Sequence, residues 1–355
     1  MTPDASIPLK QEVNRLISGI AEPGRQRATT VLDVARVAGV SAMTVSRALN
    51  QPQRVPAATR QRVQAAVEAT HYVPNLLACG LRSRRSRLVA AIVPALDSTV
   101  FGETVQALTT TLGGAGYQLM LGQSGYGAAG EDALLQAIVG RRPDGVVLVG
   151  VDHSQRAREQ LAGCGVPVVE TWDLTPTPID MLVGFSHADV GAAVCRFLAG
   201  RRRRRLAVVS GADGRAARRA QAFTATADAL GLQAPTLIEV ESPTTLGHGR
   251  QALRQLLAQH AGVDGIFCSS DMLALGVLTE AAHQGIAVPG RIGVVGFGDQ
   301  PFAADTVPAL TTVCVDGARI GREAALRVVG RIAGSPAPDV CPLDVGFLIV
   351  ERQST

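Results

Sequence analysis

Residues 30–50, TVLDVARVAGVSAMTVSRALN, constrain the fold more than any other stretch of this chain. Thr30 followed by Asp33 is a capping box that opens a first helix. Val31, Val34, Ala35 and Ala38 then recur at helical spacing and give that helix one apolar face. Gly39 stops it, Val40 fills the corner, and Ser41 caps a second helix. Val45, Ala48 and Leu49 form the apolar face of the second helix, and Ala42, Met43, Thr44 and Arg47 take its outward positions. Two short helices about one glycine turn are helix-turn-helix grammar, in which the second helix enters the major groove of DNA. An ordinary packed helical hairpin has the same grammar. Arg60, Val63, Ala66 and Val67 fit a third amphipathic helix, opened by Pro56 and ending at His71-Tyr72-Val73-Pro74-Asn75.

Charge is segregated along the chain. Residues 1–87 hold 13 basic and 5 acidic residues, and the remainder holds 21 and 25, so a head of +8 precedes a body of −4. A basic head on a mildly acidic body suits a polyanion bound at one end. The length of 355 residues leads us to expect two or three domains, and with 46% hydrophobic but 3% aromatic residues the core must be aliphatic. No stretch is long and apolar enough to span a membrane, and the N-terminus lacks the apolar run of a secretory signal, so a cytoplasmic location is expected. Six scattered cysteines without CxxC read as reduced thiols, and six histidines without HExxH give no metal site.

Residues 1–28 mix Pro, Gly and charge without periodicity and read as a mobile extension. From Leu88 short apolar runs alternate with helical stretches. Strands are expected at 88–93, 117–121, 145–149, 166–170, 206–210, 265–269 and 292–297. Helices are expected at 102–114, 131–140, 188–199, 216–230 and 247–260. This alternation implies parallel sheet covered on both faces. PDGVVLVG at 143–150 echoes VDGIFCSS at 263–270, which points to two similar subdomains with a ligand cleft beyond their strand ends. The run Arg201–Arg205 reads as a solvated helix end, with a DNA contact as the alternative.

DVARVAGVSAMTVSRALN, TRQRV, HYVPN and a short segment ending in Leu81 together resemble the DNA-binding head and hinge of the lac repressor family. The similarity continues through nearly the whole remaining chain. It implies a small all-α helix-turn-helix head and an α/β body of two similar doubly wound parallel-sheet subdomains, like those of secreted sugar-binding proteins. The expected bounds are 1–28 for the extension, 29–74 for the head, 75–87 for the hinge and linker, and 88–355 for the effector-binding and dimerisation domain. VFGET, GYQLML, VPVVETWD, VGFSH and GADGR are most similar to the gluconate-repressor branch.

The resemblance assigns roles residue by residue. Thr30, Ser41 and Asn50 are placed to contact phosphates. Ala42, Met43 and Thr44 lie toward the front of the recognition helix, where the family reads bases, and Ala42 and Met43 are apolar. Arg47, one turn on, can bond guanine bidentately. Asn75 to Arg82 resembles the hinge helix, with Leu81 as a minor-groove wedge, although Gly80 costs about 1 kcal/mol of helix propensity and Cys79 is unusual there. The expected partners are a near-palindromic double-stranded operator, a second copy of the chain and a small effector.

In the cleft the candidate residues are Phe101, Trp172, Asp173, Asp213, Arg215, Ser270, Asp271 and Phe297. Gly298 stands where relatives often carry an aspartate for sugar hydroxyls. A lost acid beside Arg215 favours an anionic ligand, a sugar acid such as gluconate or a ketogluconate. A loop ion pair of Arg215 with Asp213, and plain packing of Trp172, are the alternatives. A neutral or phosphorylated sugar is the runner-up effector. An α/β enzyme is the rival class, but the chain has no Walker lysine motif, no GxSxG elbow and no metal spacing. No cofactor is expected.

Overall fold

The computed structural model describes residues 29–73, 85–95, 99–125, 128–335 and 342–355. The extension 1–28 and the hinge positions Asn75, Cys79, Gly80 and Leu81 lie outside the described residues. The chain divides into two compact units, with the division following Arg82.

The first unit is helical. Helix α1 spans Val31–Ala38, α2 spans Ala42–Asn50 and α3 spans Ala57–Thr70. The Thr30 backbone N–H donates to Asp33 Oδ2 at 2.9 Å, the returning half of the capping box. Gly39 takes φ 62°, a left-handed conformation that glycine enters without steric penalty, and opens the three-residue turn Gly39–Ser41 between α1 and α2. Ser41 Oγ then accepts from Thr44 N at 3.1 Å and starts α2. Val34, Val45, Val63 and Ala66 close the core between the three helices. A 3-10 turn at Pro52–Arg54, which the sequence pattern does not announce, carries Val55 into that core.

The second unit holds two six-stranded sheets. In chain order the first half reads β1 (Leu88–Val93), α4 (Gly102–Gly114), β2 (Gln118–Gln123), α5 (Ala128–Val139), β3 (Gly145–Val149), α6 (Gln155–Gly163), β4 (Val168–Thr171) and β5 (Met181–Gly184). The second half reads α7 (His187–Gly200), β6 (Leu206–Gly211), α8 (Gly214–Ala229), β7 (Thr236–Val240), α9 (Leu246–Gln259), β8 (Gly265–Cys268), α10 (Asp271–His283), β9 (Gly293–Phe297) and β10 (Thr311–Cys314). Helix α11 (Gly317–Ile332), β11 (Leu343–Asp344) and β12 (Leu348–Val350) follow. The sheet orders are β11-β5-β4-β3-β1-β2 and β12-β10-β9-β8-β6-β7. Every pair is parallel except β10 with β12. The echo at 143–150 and 263–270 is real in space, because β3 and β8 hold the same place in their sheets.

The chain passes between the sheets three times. It crosses from β5 to β6 through α7, returns when α11 packs on β3, β4 and β5, and crosses again from β11 to β12. Alternate strand residues fill opposite layers: Val89 and Ala91 face one, Ala90 and Ile92 the other. Both faces are therefore apolar, as parallel sheet between helices requires. Phe185, Phe223 and Phe267 are fully buried, each stabilising the body by roughly 1.5–3 kcal/mol of apolar burial.

Candidate functional site

In the head, α2 presents Ser41, Met43 and Arg47 to solvent, with Met43 52% exposed. Arg47 lies in the last turn and its side chain has no hydrogen bond or ion pair to a described residue, so its guanidinium is available to a partner. Thr44 is half-buried, and its hydroxyl lies 2.9 Å from Ser41 Oγ. Ala42, expected on the outward face, packs partly against the head core, because it opens α2 directly over the turn. The Thr30 hydroxyl is turned to Asp33 Oδ2 at 2.7 Å. Asn50 closes α2, and its side chain lies outside the description, as do Asn75 and Leu81.

In the body, a cavity of about 90 Å³ lies at the carboxyl ends of strands from both sheets. Trp172 follows β4, Asp213 and Arg215 follow β6, Ser270 follows β8, and Phe297 ends β9. With Phe101, which leads into α4, these six of the eight expected cleft residues line one cavity. Asp213 caps α8, accepting from Arg215 N at 3.1 Å and Ala216 N at 3.0 Å. Arg215 lies over the Phe101 ring at 5.1 Å and only 3.9 Å from Asp213 at its closest, and its Nη1 is buried with no hydrogen-bond partner. The Asp213 pair therefore does not consume this guanidinium.

The two acids expected on ligand hydroxyls do not line the cavity. Asp173 is buried and bonds Arg218 and the Leu174 N–H at 2.8 Å. Burial raises its pKa despite the opposing Arg218 charge. Asp271 accepts from Thr312 Oγ1 at 2.5 Å and Gln300 N at 2.7 Å, and burial pushes it up to about 6. Each acid satisfies buried donors of the scaffold, so neither oxygen pair is directed to a ligand.

Arg219, His187, Ser242, Thr244 and Ser269 line the cavity without having been singled out in the sequence. His187 Nε2 lies 2.9 Å from the Trp172 carbonyl, and its Nδ1 lies 2.9 Å from Arg219 Nη1. Arg219 also donates to Ser269 O at 3.0 Å, lies 4.1 Å from the centre of the Phe297 ring, and leaves Nε buried without a partner. Burial lowers it to about 10, which leaves it a cation at neutral pH. Gly191 makes this approach possible, since a Cβ there would meet the Arg219 carbonyl at 2.1 Å. Trp172 holds φ 67°, a strained conformation for a tryptophan, fixed by its indole N–H to Thr104 Oγ1 at 3.0 Å and by edge contact with Phe101 at 5.1 Å.

Across the cleft mouth, Arg218 of α8 donates to Asp152 beyond β3 at 3.0 and 2.8 Å and to Asp173 beyond β4. The cleft thus offers two guanidiniums, an aromatic wall and several hydroxyls, with Asp213 as the one acid among its described lining residues. Such a site favours a small polar anion carrying hydroxyls. The Arg201–Arg205 run is largely structural. Arg201 pairs with Glu351 and lies over Phe197, Arg203 bonds Pro289 O and Arg291 O, and the N–H groups of Arg204 and Arg205 bond Asp264.

A helix-turn-helix reader joined to a two-sheet body with a polar cleft defines a ligand-responsive DNA-binding regulator. Residues 30–75 match the bacterial regulatory proteins of the lacI family, and residues 195–355 match the periplasmic binding protein-like domain. The chain is 36% identical over 328 residues to the HTH-type transcriptional regulator GntR of Pseudomonas aeruginosa, covering 92% of this chain and 95% of that one. The crystal structure of a LacI-family transcriptional regulator from Silicibacter pomeroyi superposes with a TM-score of 0.85 at 32% identity, covering 92% and 99% of the two chains. The lac repressor dimer bound to operator and the anti-inducer ONPF superposes with a TM-score of 0.81 at 25% identity, covering 92% and 99%. This chain belongs to the lacI family of DNA-binding transcriptional regulators. Among the described residues no helix is long and apolar enough to cross a membrane.

Proposed function

We propose that this regulator represses genes of sugar-acid metabolism and leaves its operator when gluconate or a ketogluconate fills the cleft. The observation that carries the reading is the pair Arg215, half-buried, and Arg219, buried, which line one cavity and each keep a buried nitrogen without a partner. A carboxylate can accept from one such nitrogen with each oxygen, and the hydroxyls of Ser242, Thr244 and Ser270 suit the polyol. The likeness to the gluconate-repressor branch supports the same class. Residues 29–74 then read DNA, 75–87 link, and 88–355 bind effector and dimerise on a near-palindromic operator, with Arg47 as the base-reading residue.

Trp172 makes the test direct. Its fluorescence is titrated with gluconate, 2-ketogluconate and neutral sugars, and operator affinity is measured with and without each. Gluconate or 2-ketogluconate should weaken operator binding by about 5–150-fold, the size of ordinary allosteric coupling. Arg215→Ala and Arg219→Ala should lose that response while binding operator as before. A response to a neutral sugar alone sinks the sugar-acid reading. A full response in both variants removes the guanidiniums from the site.

A further inference from the structure

A second cavity, of about 570 Å³, lies at the amino ends of the strands of the first sheet, the edge opposite the cleft. Pro143 and Asp144 precede β3, Val166 and Pro167 precede β4, and Arg85 precedes β1. Three guanidiniums, Arg85, Arg142 and Arg331, reach its wall from three separate segments. Arg85 donates to Ile332 O at 3.1 Å and Arg331 to Asp180 at 2.8 Å, so both are held in place. Arg142 is exposed and takes φ 51°, and its side chain makes no hydrogen bond or ion pair to a described residue.

The one acid among the described wall residues is Asp144, and its oxygens accept from backbone and hydroxyl donors. Oδ1 accepts from Ser86 N at 2.8 Å and Ser86 Oγ at 3.1 Å, and Oδ2 from Arg87 N at 2.9 Å. Asp144 keeps its charge and Arg331 shares its own with Asp180, so three guanidiniums face two acids and the cavity retains one uncompensated positive charge, that of Arg142; the remaining described wall is apolar. Among the described residues no aromatic side chain lines it, so they offer no platform for stacking a nucleobase. Arg142 brings a guanidinium without a side-chain partner to a wall that also carries Arg85 and Arg331, and such a set of planar cations suits a doubly charged phosphate better than a single carboxylate.

We propose that this cavity is a second small-molecule site, separate from the cleft, which takes a phosphomonoester. The phosphate sits among Arg85, Arg142 and Arg331, and the carbon skeleton lies against Pro143, Val166 and Pro167. The dianion, dominant above pH about 6, is the bound form.

Cys164, a half-buried thiol on the cavity wall, reports occupancy. The full-length protein is alkylated with iodoacetamide, with and without phenyl phosphate, and modification is mapped by mass spectrometry. Cys314, half-buried at the end of β10, is the internal reference. Phenyl phosphate should slow modification of Cys164 in a saturable way, by a factor of one plus the ligand concentration over its Kd, and leave Cys314 unchanged. Arg142→Glu should abolish this protection, while Cys195 and Cys268, both buried, remain unreactive and show the fold intact. Arg215→Ala should keep the protection, and benzyl alcohol should give none. The proposal is overturned if millimolar phenyl phosphate fails to protect Cys164, if benzyl alcohol protects equally, if Arg142→Glu is protected like wild type, or if Arg215→Ala loses protection.

Discussion

Arg219 Nη1 donates to His187 Nδ1 at 2.9 Å, and this bond fixes the state of a buried imidazole. His187 Nε2 faces the Trp172 carbonyl at 2.9 Å, and a carbonyl only accepts, so Nε2 carries the proton and Nδ1 is the acceptor. Burial first, then the charges of Arg219 and Arg215, hold the imidazole well below its ordinary pKa. The ring should stay neutral, with its proton on Nε2, from pH about 8 to about 6. Imidazole 15N shifts of His187 that titrate near 6.5 would contradict the assignment.

Gly191→Ala should disturb the cleft from behind. Its Cβ would meet backbone, which cannot swing aside, so α7 and α8 must separate and Arg219 must withdraw from His187. A loss of roughly 1–3 kcal/mol in folding stability, the usual cost of overpacking, should accompany weaker effector binding. Urea unfolding together with Trp172 titration tests both. Unchanged effector affinity in a destabilised variant would separate the helix spacing from the site.

Arg47→Ala should relax base discrimination rather than weaken all DNA alike. Arg47 stands on the exposed face of α2 without a competing partner. The expected cost is about 1–3 kcal/mol at one base pair in each half-site. Binding to a panel of single-base operator variants measures it. Uniform weakening across the panel would make Arg47 a phosphate contact.

The two ion pairs of Arg218 should differ in what they contribute to stability. Asp152 is well exposed, so Asp152→Asn should cost less than about 1 kcal/mol. Asp173 is 2% exposed, and Arg218→Ala strands it. That cost should reach roughly 2–3 kcal/mol, discounted because Arg218 is itself one-third exposed. Thermal and urea unfolding of the two variants should therefore differ clearly, and equal losses would count against a buried role for Asp173.

Asp271 supplies a pH-dependent prediction. Its folded pKa of about 6 exceeds the ordinary 3.8, so the folded state binds this proton more tightly than the unfolded chain. The stabilisation is complete below the ordinary value and is lost as pH rises through about 6. Asp271→Asn removes that slope while keeping an acceptor for Gln300 N. The stability of wild type relative to the variant should fall by up to about 3 kcal/mol between pH about 4 and about 7. A pH-independent difference would show that Asp271 does not titrate in that window.

Much of this architecture is legible in the chain, and the strands not expected are either at a sheet edge, as β7, β11 and β12, or only four residues long, as β5 and β10. Central strands such as LVAAIV and GVVLV are apolar on both faces and read directly. Strand β7 is half-exposed at a sheet edge and β11 has two residues, so neither produces an apolar run. Cleft residues at strand ends are readable because the strand predicts where its end lies. Arg219 and His187 meet only because two helices approach at Gly191, a tertiary fact without local signal. Asp173 and Asp271 look like loop acids in the sequence, and only folding shows the donors that claim them.

The three passages of the chain between its sheets have a consequence for how the body can be divided. Sheet one includes β11, far along the chain from its other strands, and sheet two ends with β12 and is pinned by Ser354, which accepts from Val294 N at 2.8 Å. Neither half is one continuous run of residues. A protease that severs any single passage leaves the halves tethered by the other two, and a gene cut at one point cannot release either half intact. Recombination can exchange the whole body beneath a new head, but it cannot swap one lobe in a single crossover.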